Sequence, residues 1–191
     1  MAAKQISEAN ALPGSERIAA FLDSRDLLKF FAYWQSKRSG RELPSRSDMD
    51  PIDIPWALSR SFLVDFEPPD TFRYRVAGRE IEEVFGCSMK GATLADILPP
   101  DIYPLIAGRW LPLVGMRAVV CMKGLIYGAK DRQTMGERIM LPLADEDGGP
   151  VTGLFGMTVF TWLSGAEVSE RKTVEVETIP VATIPFATMP S

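Results

Sequence analysis

The sequence predicts an α+β fold, and three observations carry that prediction. Apolar residues recur at steps of three and four up to about residue 39 and alternate singly from residue 62, so the helical period gives way to the strand period. Two strand-like segments come first, then a block of short helical segments, then three longer strand-like segments; this is a grouping, not the strict alternation of a parallel α/β sheet. The last segment, 151–162, is apolar on both faces, the pattern of a central strand covered on both sides.

Residues 1–14 are polar and end in Pro13-Gly14, which reads as a mobile lead-in. A helix is predicted from about Ser15 to Ser39, where Ile18, Phe21, Leu22, Leu27, Leu28, Phe31 and Trp34 recur with charges between them. Lys37 and Arg38 suit the negative end of its dipole, and Gly40 supplies a stop. Helix and connector together occupy 15–60. In the connector, Asp50 as N-cap, Pro51 at the first helical position and Asp53 at the third predict a short helix to about Leu58.

Phe62, Val64 and Phe66, then Phe72, Tyr74 and Val76 beyond a Pro68-Pro69-Asp70 turn, predict a two-stranded hairpin. Arg79–Phe85 reads as a short helix stopped by Gly86, and Thr93 as the cap of another over LADIL. A longer helix starts near Asp101, with Ile102, Leu105, Ile106, Arg109, Trp110 and Leu113 along one face and Pro112 kinking or ending it. Strands are predicted at about 117–127, 134–143 and 151–162, the last two joined by DEDGG with a turn at Asp147-Gly148. These elements form a core over 61–165. Pro180, Pro185 and Pro190 recur at a five-residue period, which predicts an extended, largely disordered tail over 166–191.

Composition narrows the function classes. Apolar residues make up 46%, enough for one globular core with extensions. The net charge of −4 and pI near 5.0 argue against a nucleic-acid partner bound by general electrostatics. Cys87 and Cys121 lack CxxC spacing, which suggests a reducing compartment and a cytoplasmic protein. The N-terminus has no apolar signal region and no run approaches eighteen apolar residues, so neither export nor a membrane span is expected. The chain has no histidine. That removes histidine acid–base chemistry and histidine-ligated haem or zinc, and weighs against an enzyme.

Between Tyr33 and Pro55 the chain carries Lys37, Arg38, Arg41 and Arg46 beside Asp48, Asp50 and Asp53. Two readings stay open: a basic cluster that binds a phosphate or carboxylate on a ligand or partner, or helix-end charges paired with the aspartates of the same segment. Asp48-x-Asp50 matches the first ligands of a calcium loop, but Pro51 follows directly and Ser59 stands where a bidentate Glu belongs. No metal is expected.

The segment YWQSKRSGRELPSRSDMDPIDIP, followed by LSRSFLVDF, FRYRVAG, VFG and MKGATLADIL, resembles one branch of bacterial PAS-domain proteins over roughly residues 27–162. These are small, mostly stand-alone proteins whose opening signature pairs Tyr-Trp with Gly-Arg, Pro-x-Arg and an Asp-Pro step. Here Trp34, Arg38, Arg41, Arg46, Asp48 and Asp50 fall in that signature. The resemblance implies a PAS-like five-stranded antiparallel sheet of order 2-1-5-4-3, with helices 79–115 across one face and the N-terminal helix on the other face or on a partner. It also implies a sensory or adaptor module in bacterial signal transduction, acting by contact with a kinase or regulator and as a homodimer through the N-terminal helix.

A PAS fold can enclose a small-molecule cavity between sheet and helices. Its candidate lining here is Phe62, Tyr74, Phe85, Ile106, Trp110, Met122, Met140 and Met157. The same residues equally suit a dry, close-packed core, and methionines adapt to either a modest apolar ligand or irregular gaps. Cys87 differs from the photoreactive cysteine of flavin-binding PAS relatives, because FGCSMKG lacks their Asn-Cys-Arg-Phe run; a buried inert thiol and no cofactor are expected. Phe30, Phe31, Tyr33 and Trp34 either pack on the chain's own sheet or form a dimer seam. The proline-rich tail is also a candidate ligand strand for a partner. The readings left beside the sensor are a purely structural interaction module and an enzyme using carboxylates such as Asp65 or Glu137.

Overall fold

The structure, a computed structural model, describes residues 12–129, 132–163 and 173–186. Its centre is a single antiparallel sheet of β1 (Ser61–Glu67), β2 (Thr71–Ala77), β3 (Ala118–Ala129), β4 (Arg132–Leu143), β5 (Gly153–Trp162) and β6 (Glu175–Pro180). The spatial order is β2-β1-β5-β4-β3-β6. The expected order 2-1-5-4-3 is contained in it, with β5 between β1 and β4 as its two apolar faces require.

The sixth strand corrects the reading of the C-terminal segment as a disordered tail. Glu175–Pro180 pairs along the whole first half of β3, from Ala118 opposite Pro180 to Lys123 opposite Glu175. Pro180 is the last residue of the strand, where a missing N–H breaks no interior ladder bond. A single 3-10 turn, Val181–Thr183, follows. Ile179, Val181 and Ile184 are buried, and Arg17 pairs with Glu177. The proline period therefore marks where the strand ends, not an absence of pairing. Pro190 and the lead-in up to residue 11 lie outside the described residues.

Two helices stand where one was predicted: α1 (Gly14–Phe21) and α2 (Arg25–Lys37). The break has a local and a distant cause. Ser24 caps α2 by accepting from the Leu27 amide. From β4, the Glu137 carboxylate accepts from the amides of Asp23 at 3.1 Å and Ser24 at 2.9 Å. At the other end of α1, a Cβ on Gly14 would lie 2.7 Å from the Ile184 side chain and 2.9 Å from that of Ile179, so the helix start can approach the C-terminal segment only without a side chain.

The connector is built from 3-10 turns at Arg46–Asp48, Pro51–Asp53 and Leu58–Arg60, not from the predicted helix to Leu58. Asp50 does cap its turn, accepting from the Ile52 amide at 2.9 Å, but Ile54 leaves helical geometry at φ −130°. Three further helices cross one face of the sheet region: α3 (Arg79–Phe85), α4 (Leu94–Ile97, capped by Thr93) and α5 (Tyr103–Gly115). Pro112 neither ends nor precedes the end of α5 by a full turn; it sits in the last turn, where its missing N–H costs one bond.

Paired residues of neighbouring strands share a face, so the register sorts the core into two layers. Phe62, Met140 and Gly156 point one way, as do Met122, Arg138 and Thr158. This is the side of α5, since Phe62 stacks on Trp110 with ring centres 5.9 Å apart. Leu63, Phe155, Cys121, Ile139 and Met157 point the other way. There α2 covers the sheet: Phe30 lies 4.4 Å from Phe155, and the fully buried Trp34 donates its indole N–H to the Pro142 carbonyl at 3.1 Å. Among the described residues, no helix is long and apolar enough to cross a membrane.

Candidate functional site

On the α5 side, the apolar candidates come together with one exception. Phe62, Tyr74, Trp110, Met122 and Met140 are buried in a single layer, while Phe85 and Ile106 are half-buried at its margin. Phe62 stands between Tyr74, with ring centres 6.0 Å apart, and Trp110. Gly156 makes room for it: a Cβ there would fall 2.1 Å from the Phe62 ring. Phe85 meets Tyr127 edge-on at 5.5 Å. Met157 is the correction. It pairs with Ile139 on the face turned to α2, so it cannot line a space beneath α5.

The same layer holds a charge that the apolar candidates did not include. On β4, residues 138 and 140 project to the same side, and Arg138 is only 4% exposed there. Its Nε donates to Thr158 Oγ1 at 2.9 Å, and that hydroxyl lies 3.2 Å from the Tyr127 hydroxyl. The guanidinium carbon sits 4.6 Å from the centre of the Tyr127 ring and 5.5 Å from that of Phe62. Among the described residues no carboxylate lies within ion-pair distance of it; its two terminal nitrogens make no protein hydrogen bond there and are not enclosed, unlike the Trp110 indole nitrogen.

Two further polar features border this group. Arg109 of α5 is half-buried, and desolvation, then repulsion from the Arg138 charge, holds its guanidinium below the ordinary value. The Trp110 indole N–H is buried without a partner, although it is a donor that burial normally satisfies. Burial, reinforced by Tyr127, pushes the Tyr74 hydroxyl up, so it is a neutral donor in the physiological range. The layer is therefore aromatic and apolar in bulk and cationic in charge, with one buried donor, the Trp110 indole N–H, left unused among the described residues.

The signature residues are placed mainly in structural roles. Trp34 lies inside the chain's own core, against the sheet, with Phe30 and Phe31 buried beside it. Of the two readings left open for these residues, it is packing on the chain's own sheet that holds for them and not a dimer seam. Arg38 is 3% exposed and donates to the Glu42 carbonyl at 2.9 Å and the Ile184 carbonyl at 3.1 Å, tying the C-terminal segment to the end of α2. Lys37 pairs with Asp53 at 2.7 Å and Arg41 with Asp48 at 2.6 Å, within the segment. Arg46 instead reaches Asp65 at 3.2 Å, and Asp65 also takes Arg75 at 2.6 Å. The cluster is thus divided among several partners and does not converge on one point.

Cys87 corrects another expectation. It follows the left-handed Gly86 that closes α3 and is exposed, whereas Cys121 is buried, with its thiol pushed up by burial. On the face opposite Arg138, Glu137 combines its bonds to the α1–α2 turn with Lys123 at 3.2 Å, and Lys123 also pairs with Asp23. These three line an open groove of about 800 Å3 with Val159 and Thr161.

Arg138 could have been found in the sequence. Strict alternation through RIMLPL puts residue 138 on the inward parity of Met140, and an arginine at such a position is itself a signal. A family model described as PAS domain matches residues 22–159. No curated protein and no solved structure matches the chain.

Proposed function

Since this chain belongs to the PAS domain family, we propose that it perceives a small molecule on the α5 side of its sheet and reports it through contacts of its N-terminal helices. As a PAS domain it is a sensory or signalling module in general. The finer reading assigns the input to the layer around Phe62, Tyr74, Trp110 and Arg138, and the output to a partner signalling protein such as a kinase or regulator.

One observation supports this division of labour. Glu137 and Arg138 are consecutive on β4, one holding the α1–α2 turn and the other standing in the aromatic layer. A shift or twist of β4 at this point acts on both faces at once, because a strand's successive side chains share one backbone. Ligand occupancy then changes the balance between two packings of α1 and α2, provided that the ligand binds one of them better. No catalytic step is assigned: Asp65 is engaged by two arginines, and Glu137 by Lys123 and two amides.

Mass spectrometry of the purified protein, first native and then denatured, tests the reading. A small molecule retained in the native state and released on denaturation is the expected result. A bare mass in both states, together with a measurable turnover abolished by Asp65→Asn or Glu137→Gln, would overturn it.

A further inference from the structure

We infer that Arg138 anchors a binding site for an organic carboxylate with an apolar body, in the layer between the sheet and α5. The inference rests on the sensory reading above and names the chemical class of what is sensed.

A buried guanidinium is expensive to desolvate, and proteins normally compensate it with a carboxylate and a full set of hydrogen bonds. Arg138 has neither. It uses one of its five N–H donors, on Thr158, and lies over the rings of Tyr127 and Phe62, while its terminal nitrogens stay open enough for a ligand oxygen to reach them. Aromatic faces favour a cation, but they accept no in-plane hydrogen bond and carry no opposite charge. The second cation, Arg109, adds to the deficit. A self-sufficient core would not keep an arginine without a carboxylate and leave an indole N–H of the same layer unused.

The missing component is defined by what remains. It carries a negative charge, since the layer has positive charge and no carboxylate of its own among the described residues. Its polar end is planar and forked, because the two free guanidinium nitrogens match a carboxylate in a bidentate pair. A phosphate group would bring more charge and more acceptor oxygens than this largely aromatic wall can serve. The rest of the ligand is apolar, because Phe62, Tyr74, Trp110 and Met140 surround the charge.

Calorimetric titration and thermal unfolding of the full chain with a matched pair of probes, 3-phenylpropanoate and 3-phenylpropan-1-ol, test this, with inorganic phosphate as a bare anion. The acid is expected to bind the native protein at least about ten-fold more tightly than the alcohol, the equivalent of one charge-assisted hydrogen bond. In Arg138→Met the preference is expected to vanish, while the unliganded variant unfolds at the same temperature as the native protein or higher, since an uncompensated charge has been replaced by an apolar side chain of similar length. Retention of the preference in folded Arg138→Met overturns the inference, as does phosphate binding as tight as the acid. If Arg138→Met fails to fold, the native protein still decides: equal affinity for acid and alcohol overturns the carboxylate assignment and leaves a ligand-sensing core intact. Binding of neither probe, with no small molecule retained in native mass spectrometry, overturns the sensory reading as well.

Discussion

Glu137 and Arg138 are adjacent on β4, yet they serve opposite faces of the sheet. The carboxylate of Glu137 accepts from the backbone amides of Asp23 and Ser24, and the guanidinium of Arg138 donates to Thr158 beneath α5. The pair links the start of α2 to the aromatic layer through a single peptide unit.

Glu137→Ala is expected to loosen the N-terminal helices selectively. It leaves the Asp23 and Ser24 amides without their acceptor and Lys123 with Asp23 alone, a loss of about 1–3 kcal/mol. Hydrogen exchange should rise across α1 and α2 and stay unchanged in α5. Uniformly raised exchange over the whole sheet would count against the local role.

Trp34→Phe should destabilise the protein although the ring remains aromatic. The Pro142 carbonyl loses a buried donor at 3.1 Å, which costs about 1–3 kcal/mol, and the smaller ring adds a gap. Urea unfolding should show a lower midpoint with an unchanged slope; an unchanged midpoint would refute the bond's contribution.

Gly156→Ala is a one-carbon change expected to act like an overpacked core. The new Cβ would meet the Phe62 ring at 2.1 Å, forcing that ring against Trp110 and Tyr74 at a cost of about 1–3 kcal/mol. Gly148→Ala, in the turn, meets nothing within 4 Å but holds a φ of +70°, so it strains the backbone and not the core. Only the first change should alter near-ultraviolet aromatic signals.

A chain ending at Leu163 loses β6, its ladder to β3 and the buried Ile179, Val181 and Ile184. Its β3 edge becomes an open template for another strand. Lower thermal stability and concentration-dependent self-association in size-exclusion chromatography are expected. A truncated chain as stable and as monodisperse as the full one would show β6 to be dispensable.

Stability should be nearly flat from about pH 5 to pH 9, because no histidine titrates in that interval. Asp48 pays desolvation but, held by the Ser45 amide and hydroxyl and by Arg41, lies below its ordinary 3.8, so its contribution is complete above that value and is lost as pH falls through the lower folded value. Lys123, held by Asp23 and Glu137, lies above 10.5; its contribution is complete below 10.5 and is lost as pH rises through the folded value. A transition near pH 6.5 in a thermal-unfolding series would contradict this.

Much of the fold was legible because it is written in local periods. Alternation located the β1–β2 hairpin and the three long strands, and the two apolar faces of 151–162 marked β5 as interior. Five of the eight apolar candidates lie fully buried in one layer for the same reason. Met157 was misplaced because β5 is apolar on both sides, so alternation says that residues 156 and 157 face opposite ways without saying which way α5 lies. The split between α1 and α2 escaped because part of its cause, Glu137, is more than a hundred residues away in sequence.

From sequence alone came the period of each segment, the interior rank of β5, the lack of any titrating imidazole and the resemblance to the PAS family, since each depends on neighbours along the chain or on composition. Tertiary structure decided that β6 closes against β3, that Trp34 and Arg38 serve the chain's own interior, and that Arg138 is buried without a carboxylate. These depend on which distant segments meet. Burial and charge compensation are properties of a surrounding volume, and a one-dimensional pattern specifies that volume only after the strands have paired.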